Sequence, residues 1–241
     1  MTHLTSKTQI NTSNNIHAID SNSFVVSERK FLFQMGDQLD GIYRVNSGCV
    51  KLSRNTADGE KQIIGFYMAG DLIALDALAD GFSHSTAVVL ETANISLIPF
   101  ATILNQDAKF DHHAFMHQLG VNYNNDNDHT MMLSQPAERR LAWFITKFSD
   151  GLAKRGMIAN KFRMPMTGTD LASYLGMALE TLSREIRGLC KQGLLNKSNR
   201  NIELLDMKYL IKIAAGGNAD QESFANANAG WETSTNRTIS Y

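Results

Sequence analysis

Glu180, Ser183 and Arg184 carry side chains suited to reading the edge of a base pair. An arginine fork matches guanine O6 and N7, a glutamate accepts from cytosine N4, and a serine can serve either role. Leu179, Leu182, Ile186 and Leu189 recur at helical spacing, so one helix would turn them inward and leave Glu180, Ser183, Arg184 and Arg187 on the opposite face. Glu180 and Arg184 are also four residues apart, the spacing of an ordinary surface ion pair, and for the helix taken alone that plainer reading is the stronger.

The surrounding segment changes the balance. Residues 167–195 read TGTDLASYLGMALETLSREIRGLCKQGLL, two short helices joined at a glycine. Thr167 and Asp170 have capping-box spacing, Leu171 and Leu175 face inward, and Gly176 permits the left-handed turn that swings the second helix across the first. A hairpin, LLNKSNRNIEL, follows, and its Lys197 and Arg200 flank a polar turn from which they could reach phosphates as a small wing. Thr167, Arg187 and Lys191 are further candidates for backbone contact. Together these features favour a helix that enters a major groove.

Upstream, Ser134 is placed to cap a helix with Pro136 in its first turn, and Leu141, Ile145, Phe148 and Leu152 continue it until Gly156. A strand-like KFRMPM comes next. From about residue 101 to 133 a stretch without proline predicts a long helix, with Met116, Leu119, Tyr123 and Leu133 near helical spacing and a polar flank, NYNNDNDH. So narrow a stripe suits a seam with a second copy, although a helix packed on its own β-domain gives the same pattern. Asp126 would fall on the stripe between Tyr123 and Thr130, where like charges would meet and make the dimer conditional.

Residues 24–99 alternate short apolar runs with turn residues: FLF, IYRV, CVKL, QIIGFYM, TAVVLE and ISLIP, separated by Gly36-Asp37, Ser47-Gly48 and Asp58-Gly59 among others. Ser47-Gly48 and Asp58-Gly59 are expected hairpin turns. The chain is therefore expected to be α+β, with an N-terminal antiparallel, jelly-roll-like β-roll at residues 23–100 and a dimerisation helix region at 101–134. A winged helix-turn-helix domain would occupy 135–215. Residues 1–22 and 216–241, poor in apolar side chains, are expected to be flexible.

Composition excludes several classes. No apolar run approaches the roughly 18 residues of a membrane span. The polar start, MTHLTSKTQINTSNN, lacks the apolar segment of a secretory signal, and a cytoplasmic location is expected. Cys49 and Cys190 are the only cysteines, outside any metal-ligand spacing, and read as small packed residues. His113 and His117 lie four apart beside His112, but with no third ligand identified the expectation is a solvated helix face and no metal. The net charge of −1 hides an asymmetry, because residues 156–205 hold seven basic against four acidic residues and the rest of the chain is acidic. A basic C-terminal module suits a polyanion.

With these motifs in order, the sequence resembles the bacterial cyclic-AMP receptor/fumarate-nitrate regulator (Crp/Fnr) family, and is most similar to its fumarate-nitrate branch. The resemblance runs from about Lys30 to Leu210, through LFQMGDQLDGIYRVNSGCVKL, GEKQIIGFYMAGDLIALDAL, ETANISLIPF, ERRLAWFI and the helix-turn-helix segment. It implies a transcription regulator that binds double-stranded DNA as a homodimer and contacts RNA polymerase through loops such as residues 76–83. Glu180, Ser183 and Arg184 match the E-x-x-S-R pattern of that branch, implying a TTGAT...ATCAA-like palindrome. The cyclic-AMP branch carries an arginine where Leu179 stands. Ala178 replaces a usual serine or threonine cap, at a cost of roughly 1 kcal/mol.

The sensor departs from the family. Residues 1–48 hold no cysteine, and Ser96 stands at the internal cysteine position, so an iron-sulfur cluster lacks its thiolates. His84-Ser85 replaces the Arg-Ser pair that grips a cyclic-nucleotide phosphate, removing the guanidinium fork. The expectation is a regulator without either cofactor, responding to another effector or binding DNA constitutively. An enzymatic cupin-type reading would need a ligand or acid-base constellation within residues 24–98, which hold one histidine, His84.

Overall fold

A computed structural model describes residues 23–56, 58–104 and 110–217. The expected flexible segments therefore lie outside the described residues, apart from Gly216 and Gly217, which follow the last helix.

The N-terminal unit is built from β1 (Ser23–Val26), β2 (Phe31–Phe33), β3 (Gly41–Asn55), β4 (Lys61–Met68), β5 (Leu72–Ile73) and β6 (Thr86–Pro99). They pair antiparallel in the order β1-β6-β3-β4, with β2 also on β6 and β5 also on β3. The two long strands let the sheet curl over its own core of Phe33, Val45, Val50, Leu52, Val89 and Ile95, as a roll requires.

One expected turn is absent. β3 runs straight through Ser47-Gly48, where the pairing with β6 shifts register instead. Gly48 has φ +84°, and a Cβ there would lie 2.6 Å from the Thr92 carbonyl oxygen. Glycine with positive φ serves a bulge as readily as a hairpin, and the close approach of β6 decides for the bulge. Asp58-Gly59 does turn the chain, Gly59 donating its N–H to the Thr56 carbonyl at 2.9 Å. Cys49 is buried, and burial pushes its thiol well above the ordinary range, so it behaves as a packed residue.

The expected single helix from about residue 101 is two: α1 (Phe100–Leu104) and α2 (His112–Met132). Asp111 starts α2 by accepting the Ala114 N–H at 2.8 Å. α3 (Ala137–Lys154) follows, and Ser134 does not cap it. That hydroxyl donates backwards to the Met131 carbonyl at 2.9 Å, and Pro136 takes the N-cap position with an extended ψ of 149°. Leu141, Ile145, Phe148 and Leu152 are buried as their spacing predicts, and Gly156 leaves the helix at φ +70°.

Beyond it come β7 (Lys161–Arg163), α4 (Gly168–Tyr174), α5 (Leu179–Lys191), β8 (Leu195–Ser198), β9 (Asn201–Leu204) and α6 (Met207–Ala214). The strands form a small sheet in the order β7-β9-β8. α3 is the spine of this second core, packed with Leu171, Leu175, Leu182, Leu189, Leu195 and Leu210. Phe66, Met68 and Leu90 of the roll also pack on that core, so the two units meet through apolar side chains.

Candidate nucleic-acid interface

α5 presents Glu180, Ser183, Arg184 and Arg187 to solvent. Leu182 and Leu189 are fully covered and Ile186 packs beside them, whereas Leu179 is 43% exposed at the start of the helix. The inward stripe therefore begins at Leu182, because the first turn overhangs the core. Arg184 pairs with Glu185, not Glu180: its Nε and Nη2 reach Glu185 Oε1 at 3.2 and 3.1 Å. Glu180 stays on the outer face with Ser183, ready for a partner outside the chain. Arg187 donates to the Ser183 carbonyl at 3.2 Å. Ala178 makes no side-chain cap, as its methyl dictates.

The turn before α5 is built as expected. Asp170 N–H donates to Thr167 Oγ1 at 3.0 Å and Thr167 N–H to Asp170 Oδ2 at 3.3 Å, a complete capping box, and Gly176 takes φ +60°. Arg140 adds a clamp: its Nη1 donates to the carbonyls of Leu175 at 2.7 Å and Gly176 at 3.0 Å, tying α3 to the turn. No local pattern marks Arg140, whose partners lie 35 and 36 residues away.

The wing leaves Lys197 exposed, and Lys191 is exposed at the end of α5. Arg200 is half-buried and donates to the Pro165 carbonyl at 3.3 Å, so it braces the wing against the preceding loop. Asn199 takes the tight turn with φ 53°, a conformation asparagine tolerates.

α2 carries two seven-residue spacings. Phe115, Asn122 and His129 face the chain's own body and are buried. Met116, Tyr123 and Thr130, one position on, are exposed, Met116 at 63% and Tyr123 at 71%. Leu119 and Leu133, expected on the same stripe, are half-buried against their own chain, Leu119 packing on the Ile42, Leu72 and Phe115 cluster. Asp126 is exposed, and it also lines a cavity of about 60 Å³ with Tyr67, Asp71, Asn122 and Tyr174, between the stripe and the roll. Partial desolvation by the cavity walls raises its carboxyl from the ordinary range, with the charge of Arg54 working in the other direction.

Sequence reasoning missed how α4 is seated. Asp170, Ser173 and Tyr174 share one face and all meet the roll or α2. Lys51 of β3 bonds Asp170 Oδ1 at 2.5 Å, with both side chains less than 15% exposed. Ile63 N–H donates to Ser173 Oγ at 3.2 Å. The Tyr174 ring meets Phe66 edge-on at 5.2 Å and stacks on His129 at 3.9 Å. Beside this seat lies a cavity of about 380 Å³ floored by Phe66, Trp143, Phe144 and Phe148.

Inside the roll, the region where the family grips a phosphate is occupied by a carboxylate. Asp76 Oδ2 accepts from the His84 N–H and the Ser85 hydroxyl, each at 3.1 Å, and faces Arg54 at 3.5 Å. His84 turns outward to Asp80 at 3.0 Å. Ser96 is buried and accepts from Asn46 Nδ2 at 2.6 Å, a hydroxyl's role. Among the described residues no three histidine, cysteine, aspartate or glutamate side chains gather closely enough to hold a metal ion. His113 and His117 are exposed, while His112 hydrogen-bonds through Nδ1 to the Phe110 carbonyl at 2.9 Å. No helix among the described residues is long and apolar enough to cross a membrane.

Comparison with known proteins agrees with this geometry. Residues 24–107 match the cyclic nucleotide-binding domain and residues 139–213 the Crp-like helix-turn-helix domain. The fumarate and nitrate reduction regulatory protein of Escherichia coli K12 is 34% identical over 209 residues, covering 83% of this chain and 84% of its own. The corresponding protein of Klebsiella oxytoca matches to the same extent. FixK2 from Bradyrhizobium japonicum superimposes with a TM-score of 0.68 at 24% identity, covering 79% of this chain and 96% of its own. A Crp/Fnr-family transcriptional regulator from Thermus thermophilus superimposes at 0.64 with 19% identity, covering 80% and 98%. A roll carrying a long helix and a winged helix-turn-helix, together with the sequence match along most of its length, places this chain in the Crp/Fnr family of DNA-binding transcription regulators.

Proposed function

We propose that the protein binds a TTGAT...ATCAA-like palindrome as a homodimer, with Glu180, Ser183 and Arg184 reading each half-site. The observation that carries this is the solvent-facing row of these three side chains on α5, behind a clamped turn. Thr167, Arg187, Lys191 and Lys197 supply backbone contacts, and Arg200 steadies the wing. The exposed Met116, Tyr123 and Thr130 of α2 form the seam with the second copy. A two-fold dimer then sets the reading helices about 34 Å apart, one turn of duplex. RNA polymerase is met through the loop after β5, where Leu78 is 40% and Phe82 45% exposed. The protein works in the cytoplasm and is not an enzyme.

No iron-sulfur cluster or cyclic nucleotide enters this reading. The chain has two cysteines, one of them buried in the roll, so the thiolate set of a cluster does not fit. Asp76 already takes the donors that a phosphate would need, and its charge opposes one. That internal carboxylate favours a second reading, in which DNA binding is constitutive and the amount of protein sets the output.

Titrating wild type and Arg184→Ala against the palindrome and a scrambled duplex tests the proposal. Loss of about 1–3 kcal/mol of discrimination is expected for the variant. Equal affinity of both proteins for the palindrome overturns it.

A further inference from the structure

We propose that Lys51, a residue of the sensor, is a positioning residue for DNA reading, and that through Asp170 it fixes the spacing between half-sites that the dimer accepts. This rests on the function proposed above.

α4 does not touch the reading face, yet it determines where that face points. α5 follows it across the Gly176 turn, which Arg140 holds closed. α4 in turn is held by the β3–β4 hairpin of the roll through three different interactions on one face. These are the Lys51–Asp170 ion pair, the Ile63 N–H to Ser173 hydrogen bond and the Phe66–Tyr174 ring contact. In this seated arrangement Glu180, Ser183 and Arg184 remain exposed, so the seat orients the reading helix without covering it.

Lys51 is the strongest single link. Burial alone would raise the Asp170 carboxyl, but hydrogen bonds from Lys51 and Thr167 overcome it and hold the group below the usual carboxylate range. Lys51 is 13% and Asp170 14% exposed, so solvent screens the pair little and neither charge has water to replace its partner. The partner sits 119 residues away in the other unit, which makes this a link between domains and not part of a local fold. A dimer with seated heads presents two reading helices at one separation and one rotation. With the link cut, each head samples orientations, the preferred site loses preorganisation, and sites of other spacing gain relative to it.

The experiment measures affinity for the palindrome at its selected spacing and for one lengthened by about two base pairs, in wild type, Lys51→Met, Asp170→Asn and the double variant. Wild type should prefer the first site strongly. Each single variant should lower that preference by about tenfold, the scale of one partly buried ion pair, and the double variant no further. Asparagine can still accept the Thr167 N–H, so α4 keeps its cap. Ser173→Ala provides a second cut in the same seat should either charged variant fold poorly, with the same direction expected. Unchanged spacing preference in all variants, with or without a lower melting temperature, overturns the proposal. If wild type shows no Arg184-dependent binding to the palindrome at all, the functional reading fails and this inference with it.

Discussion

The imidazole of His129 lies flat against the ring of Tyr174, 3.9 Å between centroids and 4° between planes, while its Nε2 donates to the Tyr174 carbonyl at 2.8 Å. One side chain of the long helix thus holds both the backbone and the ring of the last α4 residue. Burial lowers the proton affinity of His129, with the hydrogen bond to Tyr174 opposing. The unfolded chain then takes up a proton more readily than the folded one, so stability is complete above the ordinary histidine value of about 6.5 and declines as pH falls below it. Urea denaturation between pH 7.5 and 5 should show that decline, with a slope of no more than about 1.4 kcal/mol per pH unit from this group. His129→Phe should keep the stack and flatten the slope in that range; an unchanged slope would remove His129 as its source.

Arg140→Met should loosen the helix-turn-helix. The substitution leaves the part-buried Leu175 carbonyl and the exposed Gly176 carbonyl without their guanidinium donor, at about 1 kcal/mol, since water can reach the second. Arg140→Lys should recover only part, since the shorter lysine stem must bring its one nitrogen to the point where Nη1 meets both carbonyls. Equilibrium unfolding of the two variants decides this, and equal stability of Arg140→Met and wild type would count against the clamp.

Tyr123→Asp should separate the dimer. Tyr123 is 71% exposed at the centre of the outward stripe, and a carboxylate there would face its own copy across a two-fold seam. Sedimentation should show dissociation strengthened by about 100-fold or more, with each monomer still folded. Asp126→Ala should leave the dimer constant unchanged, because that carboxyl faces the roll cavity. Tightening would return Asp126 to the seam.

Gly48→Ala should cost about 2 kcal/mol or more, combining a left-handed backbone with a clash against β6. Gly59→Ala offers a control: it has the same sign of φ but nothing within 4 Å of the added carbon, so the loss should be smaller. Thermal melts of the pair separate strain from crowding.

Leu179→Arg should change which half-site is chosen. The side chain is 43% exposed at the head of the reading helix, so an arginine fits without repacking. Selection from random duplexes should shift toward TGTGA-type half-sites while the melting temperature stays near that of wild type. Retention of the TTGAT class would show that this position does not discriminate.

Legible in the sequence is whatever is decided within one turn of helix or one hairpin. The Thr167–Asp170 box, the Gly176 turn, the α3 stripe and the Asp58-Gly59 turn all have their determinants within a few residues. Expectation and structure part where a distant strand or helix decides. Gly48 offers the same positive φ to a hairpin or a bulge, and only the approach of Thr92 selects the bulge. Ser134 has the composition of a cap, but its hydroxyl donates to the Met131 carbonyl instead of accepting an N–H of α3. Asp170 is legible as a capping residue, whereas its second bond, to Lys51, depends on how two domains meet. α2 reads as a single seam because a polar helix gives no contrast between faces; Leu119 belongs to the face turned toward the roll, and Asp126 lies exposed at the edge of a cavity beside it.

The paired seven-residue spacings of α2 make that helix a torsion shaft. Phe115 engages the roll, His129 engages the helix-turn-helix, and Met116, Tyr123 and Thr130 run beside them along the outer side. Inserting one residue between Phe115 and His129 would turn the far end by about 100° relative to the near end. The sensor and the reading head would then be out of phase while every domain kept its own core.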